Sequence, residues 1–111
     1  MKALIALAIA LMTYGLAVAD PNDGLLDRIE ANVTMPVGAD RLEAYARYYA
    51  LTDSGSEVTA VYLKLGNEQP GRRWVNEREL PIVLDGGCGV VTVMADAATA
   101  TLRSVFCNDP G

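Results

Sequence analysis

The sequence predicts a small α+β domain in which an N-terminal helix packs on an antiparallel sheet of about four strands, arranged as two hairpins. Apolar residues recur at helical spacing early in the chain, and later runs of β-branched and aromatic residues are separated by turn-forming residues. Two cysteines lie where they can bridge the second hairpin, which predicts one disulfide.

An export signal is predicted at residues 1–19. Lys2 supplies a positive charge, residues 3–12 form an apolar run, and residues 17–19 (AVA) match a cleavage site. An uncleaved membrane anchor is the alternative, but the apolar run is short for a bilayer span. We therefore expect one exported domain, residues 20–111, in the periplasm or secreted, with no membrane span after cleavage.

The charge of the mature domain limits its partners. Without Lys2, eight basic residues remain against fourteen acidic ones, so the formal charge changes from −5 to −6. Nucleic acids and anionic membranes repel such a domain, and its largest basic cluster is only Arg72-Arg73. We expect a monomer whose partner, if it has one, is another envelope or secreted protein.

The helix and the first hairpin are predicted from periodicity. A helix capped by Asp23 and running through Val33 places Leu25, Leu26 and Ile29 on one face. Residues 40–51 are ambiguous, because DRLE resembles a capping box whereas the three tyrosines favour a strand. We favour a hairpin of residues 45–51 with 58–65, and a helix over 40–51 remains the alternative. Residues 66–79 are polar and predict a connecting loop.

The second hairpin is predicted to join residues 90–95 to residues 100–105. If Ala95 pairs with Ala100, the numbers of facing residues sum to 195, so Cys88 faces Cys107 across the strands. An even, minimal number of cysteines in an exported chain also indicates a disulfide. The glycines of GGCG then serve the turn into the strand, and Gly89 leaves room for the Phe106 ring. The motif lacks the third glycine and following helix of a dinucleotide fingerprint.

Few residues are available for catalysis. The chain has no histidine, and oxidised cysteines can be neither nucleophiles nor thiolate ligands. We therefore expect no metal and no cofactor. The remaining enzymatic hypothesis is a small hydrolase that uses Asp85 with Glu77 or Glu79, although acids in loops are more often solvated or turn-capping residues.

Binding is the leading hypothesis, and two groups of residues are candidates. Arg72, Arg73 and Trp74 combine cations with an aromatic ring, although Trp74 could instead cover the core. A second group shares one face if its segment is a strand, where it forms either a binding stripe or a cross-strand ladder; it comprises Tyr45, Arg47 and Tyr49. A third possibility is an edge strand that docks onto another protein.

The set GRRW (71–74), LP (80–81), DGGC (85–88) and CN (107–108), with YARYYA upstream, resembles small exported proteins of Gram-negative bacteria. The resemblance covers most of the mature chain. It implies a periplasmic or secreted location and a disulfide, and it carries no activity.

Overall fold

A computed structural model describes residues 22–109, which form one α-helix and a five-stranded mixed sheet. The elements are α1, Asp23–Asn32; β1, Ala46–Leu51; β2, Glu57–Leu63; β3, Gly71–Trp74; β4, Val90–Asp96; and β5, Leu102–Cys107. Three short 3₁₀ turns span Leu42–Ala44, Glu77–Glu79 and Gly87–Gly89. The α+β class is confirmed, but the sheet has five strands where about four were predicted, and it is mixed where an antiparallel sheet was predicted. The predicted signal at residues 1–19 lies outside the described residues.

The strand order is β3-β1-β2-β4-β5, in which β3 is parallel to β1 and the other neighbours are antiparallel. The extra strand, β3, lies inside the segment predicted to be a loop. Its sequence, GRRW, lacks the alternation of apolar residues by which strands are predicted. An edge strand can form without that alternation when its side chains find polar partners.

The first hairpin is confirmed, and it settles the alternative over residues 40–51 in favour of a strand. Tyr48 faces Val61, and the β1–β2 ladder continues without interruption from Ala46 to Leu51. The capping-box sequence forms only the 3₁₀ turn Leu42–Ala44. Pairing with β2 therefore overrides the helical periodicity of this segment.

The predicted register of the second hairpin is wrong. The numbers of facing residues in β4 and β5 sum to 198, as for Val93 opposite Val105, and not to the predicted 195. An irregularity in the pairing follows Met94. The turn accounts for the difference, because the Asp96 carboxylate accepts hydrogen bonds from two backbone N–H groups and a hydroxyl in residues 98–99. Ala100 has a left-handed backbone (φ 62°), and the ladder is closed instead by Asp96 N–H to the Thr101 carbonyl at 2.8 Å.

A shift by three residues turns β5 over relative to β4, since side chains alternate between faces. Phe106 therefore lies on the sheet face opposite Val91 and is half exposed. Gly89 makes room for Leu65 rather than for the Phe106 ring, because a Cβ atom there would lie 2.7 Å from Leu65 Cδ2.

The disulfide between Cys88 and Cys107 is confirmed, with Cα atoms 4.6 Å apart. It is not the predicted pair of facing residues, since Cys107 faces Val91 and Cys88 lies on the 3₁₀ turn before β4. The bond thus links the end of β5 to the start of β4. We call this end of the sheet, where β4 begins and β5 ends, the disulfide end.

The core lies between α1 and one face of the sheet. Its buried apolar cluster comprises Leu26, Ile29, Leu42, Tyr45, Tyr49, Val58, Ala60, Tyr62, Val91, Val93, Ala95 and Ala100. Only two of these residues, Leu26 and Ile29, come from α1, so the sheet provides most of the buried surface.

Residues 75–89 connect two parallel strands, β3 and β4, and so return along the length of the sheet. Near the start of this crossover, a Glu77 carboxylate oxygen accepts a hydrogen bond from the Asp53 N–H at 3.0 Å. Near its end, the Asn108 side-chain amide donates to the carbonyl oxygens of Val83 and Asp85, at 2.6 and 3.0 Å. Side-chain hydrogen bonds therefore fix both ends of the crossover.

We predict that replacing both Cys88 and Cys107 with alanine lowers the free energy of unfolding by about 3 kcal/mol, because the bond closes a segment with a sequence separation of 19 in the unfolded chain. Urea unfolding followed by circular dichroism measures the change. Reduction should weaken the wild type by a similar amount and leave the double variant unaffected. Equal stability of the two proteins would contradict the prediction.

Candidate functional site

The three residues of the predicted Arg72-Arg73-Trp74 surface lie on β3 but do not share a face. Trp74 is partly buried and packs against the core cluster. The Arg73 guanidinium lies on the other face, 5.1 Å from the centre of the Tyr48 ring, and donates to the carbonyl oxygens of Gly71 and Gln69. The alternative in which the tryptophan covers the core is thus the one that matches its position.

The predicted stripe of Tyr45, Arg47 and Tyr49 does share one face of the sheet, and that face is buried under α1. The Arg47 Nε donates to a Glu30 carboxylate oxygen at 3.0 Å, and the Tyr49 hydroxyl donates to the same oxygen at 2.6 Å. The Tyr49 and Tyr62 hydroxyls lie 2.7 Å apart. The stripe is therefore part of a buried polar network and does not form an exposed binding surface.

Arg72 extends this network to the acidic face of α1. Its guanidinium pairs with Asp27, lies 3.4 Å from the Glu30 carboxylate and reaches Asp23 at 3.8 Å. The three acids are spaced four and three residues apart, which places them on one side of the helix. Sequence reasoning missed Glu30, although this acidic spacing beside the apolar stripe is a signal that could have identified it.

Burial sets the protonation of the two central tyrosines. Desolvation raises the pKa of Tyr49 far above the ordinary range, and the neighbouring Tyr62 and Glu30 raise it further. Burial also raises the pKa of Tyr62. Both hydroxyls therefore stay protonated and act as hydrogen-bond donors, so neither tyrosine is a general base at neutral pH.

The carboxylates of the hydrolase hypothesis do not converge. The Glu77 carboxylate binds Asp53 at the turn between β1 and β2, while Asp85 lies beside Asn108 at the disulfide end. The seven residues of β4, about 20 Å long, separate these ends of the sheet. The Glu79 carboxylate is used within its own turn, where it accepts from the N–H three residues earlier. Two acids flanking one substrate need a closer approach than this.

The disulfide end contains a shallow pocket of about 430 Å³. An ion pair between Lys64 and Asp40, 3.2 Å long, lines it together with the Tyr45 hydroxyl. That hydroxyl donates to the Cys88 carbonyl oxygen at 2.6 Å and accepts from the Asp40 N–H at 3.0 Å. The polar groups of this pocket thus already satisfy one another.

Exposed apolar side chains gather at the same end. Of the six large exposed hydrophobic residues among positions 22–109, five lie there, and we call these five the disulfide-end patch: Val37, Leu65, Ile82, Leu84 and Phe106. The sixth, Leu51, lies at the opposite end of the sheet. Ile82 and Leu84 are both 88% exposed, whereas the intervening Val83 is partly buried.

Local contacts position the members of the patch. The Val37 carbonyl oxygen lies 3.7 Å from Cys88 Sγ. The Leu65 side chain packs beside Gly86 and Gly89. The hydrogen bonds from Asn108 hold the crossover beside the end of β5, which presents Ile82 and Leu84 to solvent. Two acids border the patch, Asp85 and Asp109, and neither joins an ion pair within residues 22–109.

Comparison with protein-family models, with curated proteins and with solved structures found no match. No helix within residues 22–109 is long and apolar enough to cross a membrane. The same residues contain no cluster of three or more histidine, cysteine or acidic side chains that could hold a metal ion. The disulfide is compatible with an extracellular or periplasmic location.

We predict that Glu30→Ala lowers the free energy of unfolding by about 3 kcal/mol, because it leaves the largely buried Arg47 guanidinium without its counter-ion. Glu43→Ala removes an exposed acid and should change stability by less than about 0.5 kcal/mol. Urea unfolding of both variants provides the measurement. Similar stabilities for the two variants would show that the network contributes little.

The raised pKa values of Tyr49 and Tyr62 predict a loss of stability in alkali. Above about pH 10 an unfolded tyrosine releases its proton while the buried ones keep theirs, so the unfolded state becomes more favourable as the pH rises. The double variant Tyr49→Phe, Tyr62→Phe should lose stability less steeply between pH 10 and 12. Val58→Ala, which destabilises the core at every pH, should keep the wild-type slope. A double variant with that slope would contradict the prediction.

Proposed function

We propose that the chain is a non-enzymatic exported domain that binds another envelope or secreted protein through the disulfide-end patch. The observation that carries this proposal is the exposure of Ile82 and Leu84, each 88% exposed on a crossover that hydrogen bonds fix at both ends. Contiguous exposed apolar side chains on a soluble domain mark interaction sites, whereas isolated ones need no explanation.

The partner is a protein whose apolar groove has a basic rim. Asp85 and Asp109 border the patch and make no ion pair within the described residues, so positive groups on a partner can complement them. The overall charge of −5 opposes binding to an anionic lipid surface, which could otherwise receive the apolar side chains. The separation of Asp85 from Glu77 gives the hydrolase alternative no support.

We predict that Ile82→Ser with Leu84→Ser lowers the affinity for the partner by about 30-fold or more, because the two apolar side chains are no longer buried against the partner. The stability of the domain should change by less than about 1 kcal/mol, since both side chains are 88% exposed. The partner is first captured with a photo-reactive amino acid at position 82, with position 54 at the opposite end as the control site. Affinity is then measured with the purified partner.

Crosslinking from both positions alike, or unchanged affinity of the double variant, would contradict the proposal. Flotation of the purified domain with vesicles of phosphatidylglycerol and phosphatidylethanolamine tests whether the patch binds a lipid surface instead of a protein. Flotation that depends on Ile82 and Leu84 would show that the patch binds lipid and would overturn the protein partner.

A further inference from the structure

We infer that the partner contributes an extended segment that adds a strand to the outer edge of β5, beside the disulfide-end patch. The inference rests on the proposed function and specifies how that partner is held. β5 ends the strand order β3-β1-β2-β4-β5, so one of its edges pairs with no strand among residues 22–109.

The register determines which groups this edge offers. The Asn108 N–H donates to the carbonyl of the facing Val90 at 3.0 Å, and hydrogen-bonded positions alternate with non-hydrogen-bonded ones along an antiparallel ladder. Phe106 and Ser104 therefore direct their backbone groups toward β4. Val105 and Cys107 direct their N–H and C=O groups outward.

An extended backbone matches this edge. The outward groups of Val105 and Cys107 repeat at about 7 Å, the two-residue spacing of a strand. They offer two donors and two acceptors in the order that another strand presents them, and strand addition is a common mode of peptide recognition. The edge therefore selects an extended polypeptide, not a helix or a small molecule.

A partner segment fits this edge better than a second copy of β5. Antiparallel self-pairing centred on Phe106 would pair Val105 with Cys107 of the second copy, but it would bring together two domains that each carry a formal charge of −5 and so repel one another. The bulge at Met94/Ala95 takes Arg103 out of the regular ladder, and its guanidinium is held by Glu57 and Asp96 at 3.3 and 3.1 Å. The usable edge is thus short, and it lies at the disulfide end.

The flanking side chains define the class of segment. Phe106, 45% exposed, lies on the sheet face opposite α1 and can pack against an apolar side chain of an added strand. Val105, on the helix face, is partly buried and favours a second apolar residue on that side. Asp109 follows the edge and favours a basic residue at the end of the segment. We therefore expect apolar residues followed by a lysine or arginine.

The test removes one backbone N–H that β5 directs outward and keeps the hydrogen bonds between β5 and β4. Val105→Pro removes one edge donor, and proline is tolerated at outward positions of edge strands. Val105→Thr keeps the donor and the branched side chain and is the matched control. The probe is the partner protein recovered by crosslinking at position 82. We expect Val105→Pro to weaken binding by about tenfold or more and Val105→Thr by less than about threefold.

Amide hydrogen exchange of the wild-type domain provides a readout that does not depend on how well the proline variant folds. In the complex, exchange at Val105 and Cys107 should slow by about tenfold or more, while Ser104 and Phe106 are protected already in the free domain. Unchanged exchange at Val105 and Cys107 would overturn strand addition.

The outcomes separate the two proposals. Full binding by Val105→Pro with loss of binding by Ile82→Ser, Leu84→Ser would keep the patch and reject the added strand. Retained binding by both variants would reject both proposals. A concentration-dependent dimer in sedimentation that Val105→Pro abolishes would show that the edge is occupied by a second copy, which also overturns the inference.

Discussion

The Glu30 carboxylate is the contact on which the position of α1 depends. It receives hydrogen bonds or ion pairs from Arg47, Arg72 and Tyr49, and its side chain is only 12% exposed. α1 contributes just two fully buried apolar residues to the core, so apolar burial alone fixes its orientation weakly. A buried carboxylate must keep its hydrogen bonds and ion pairs, which only a few orientations of the helix allow, whereas an apolar contact tolerates many. The Glu30 contacts therefore set the rotation of α1 on the sheet.

This network also determines which part of the molecule is left for binding. It uses polar side chains of β1, β2 and β3 internally, on the face that α1 covers. The two tyrosine hydroxyls there stay protonated, because burial raises the pKa of both, and they are hydrogen-bonded to each other. Among the groups that the described residues leave open to a partner are the apolar side chains at the disulfide end and the outer edge of β5. They adjoin each other, because Phe106 of the disulfide-end patch belongs to β5.

The sequence predicted most strands because β-branched and aromatic residues alternate in them, and it predicted the disulfide from cysteine number and separation. It failed where one side chain reorganises the backbone. The Asp96 carboxylate gathers the N–H groups of Ala98 and Thr99, which shifts the register by three residues and exposes Phe106. The strand β3 was missed because Arg72 and Arg73 find partners only in the folded sheet.

The candidate site could be predicted only in part, since it consists of residues brought together by the crossover. Residues 80–85 (LPIVLD) form a mostly apolar run, and nothing in this local pattern distinguishes a buried strand from an exposed segment. Burial would normally be expected of such a run. The segment stays exposed because Asn108 binds the Val83 and Asp85 carbonyls and so holds the chain by its backbone.

The disulfide connects this exposed segment to the edge strand. Cys107 ends β5, and Cys88 lies three residues after the second carbonyl that Asn108 binds. The covalent bond and the Asn108 hydrogen bonds therefore close a small ring that includes both the crossover and the end of β5. A binding surface built on such a ring loses little conformational entropy when a partner binds, because its backbone is already restrained. The placement of the disulfide thus serves the geometry of the proposed surface as well as the stability of the domain.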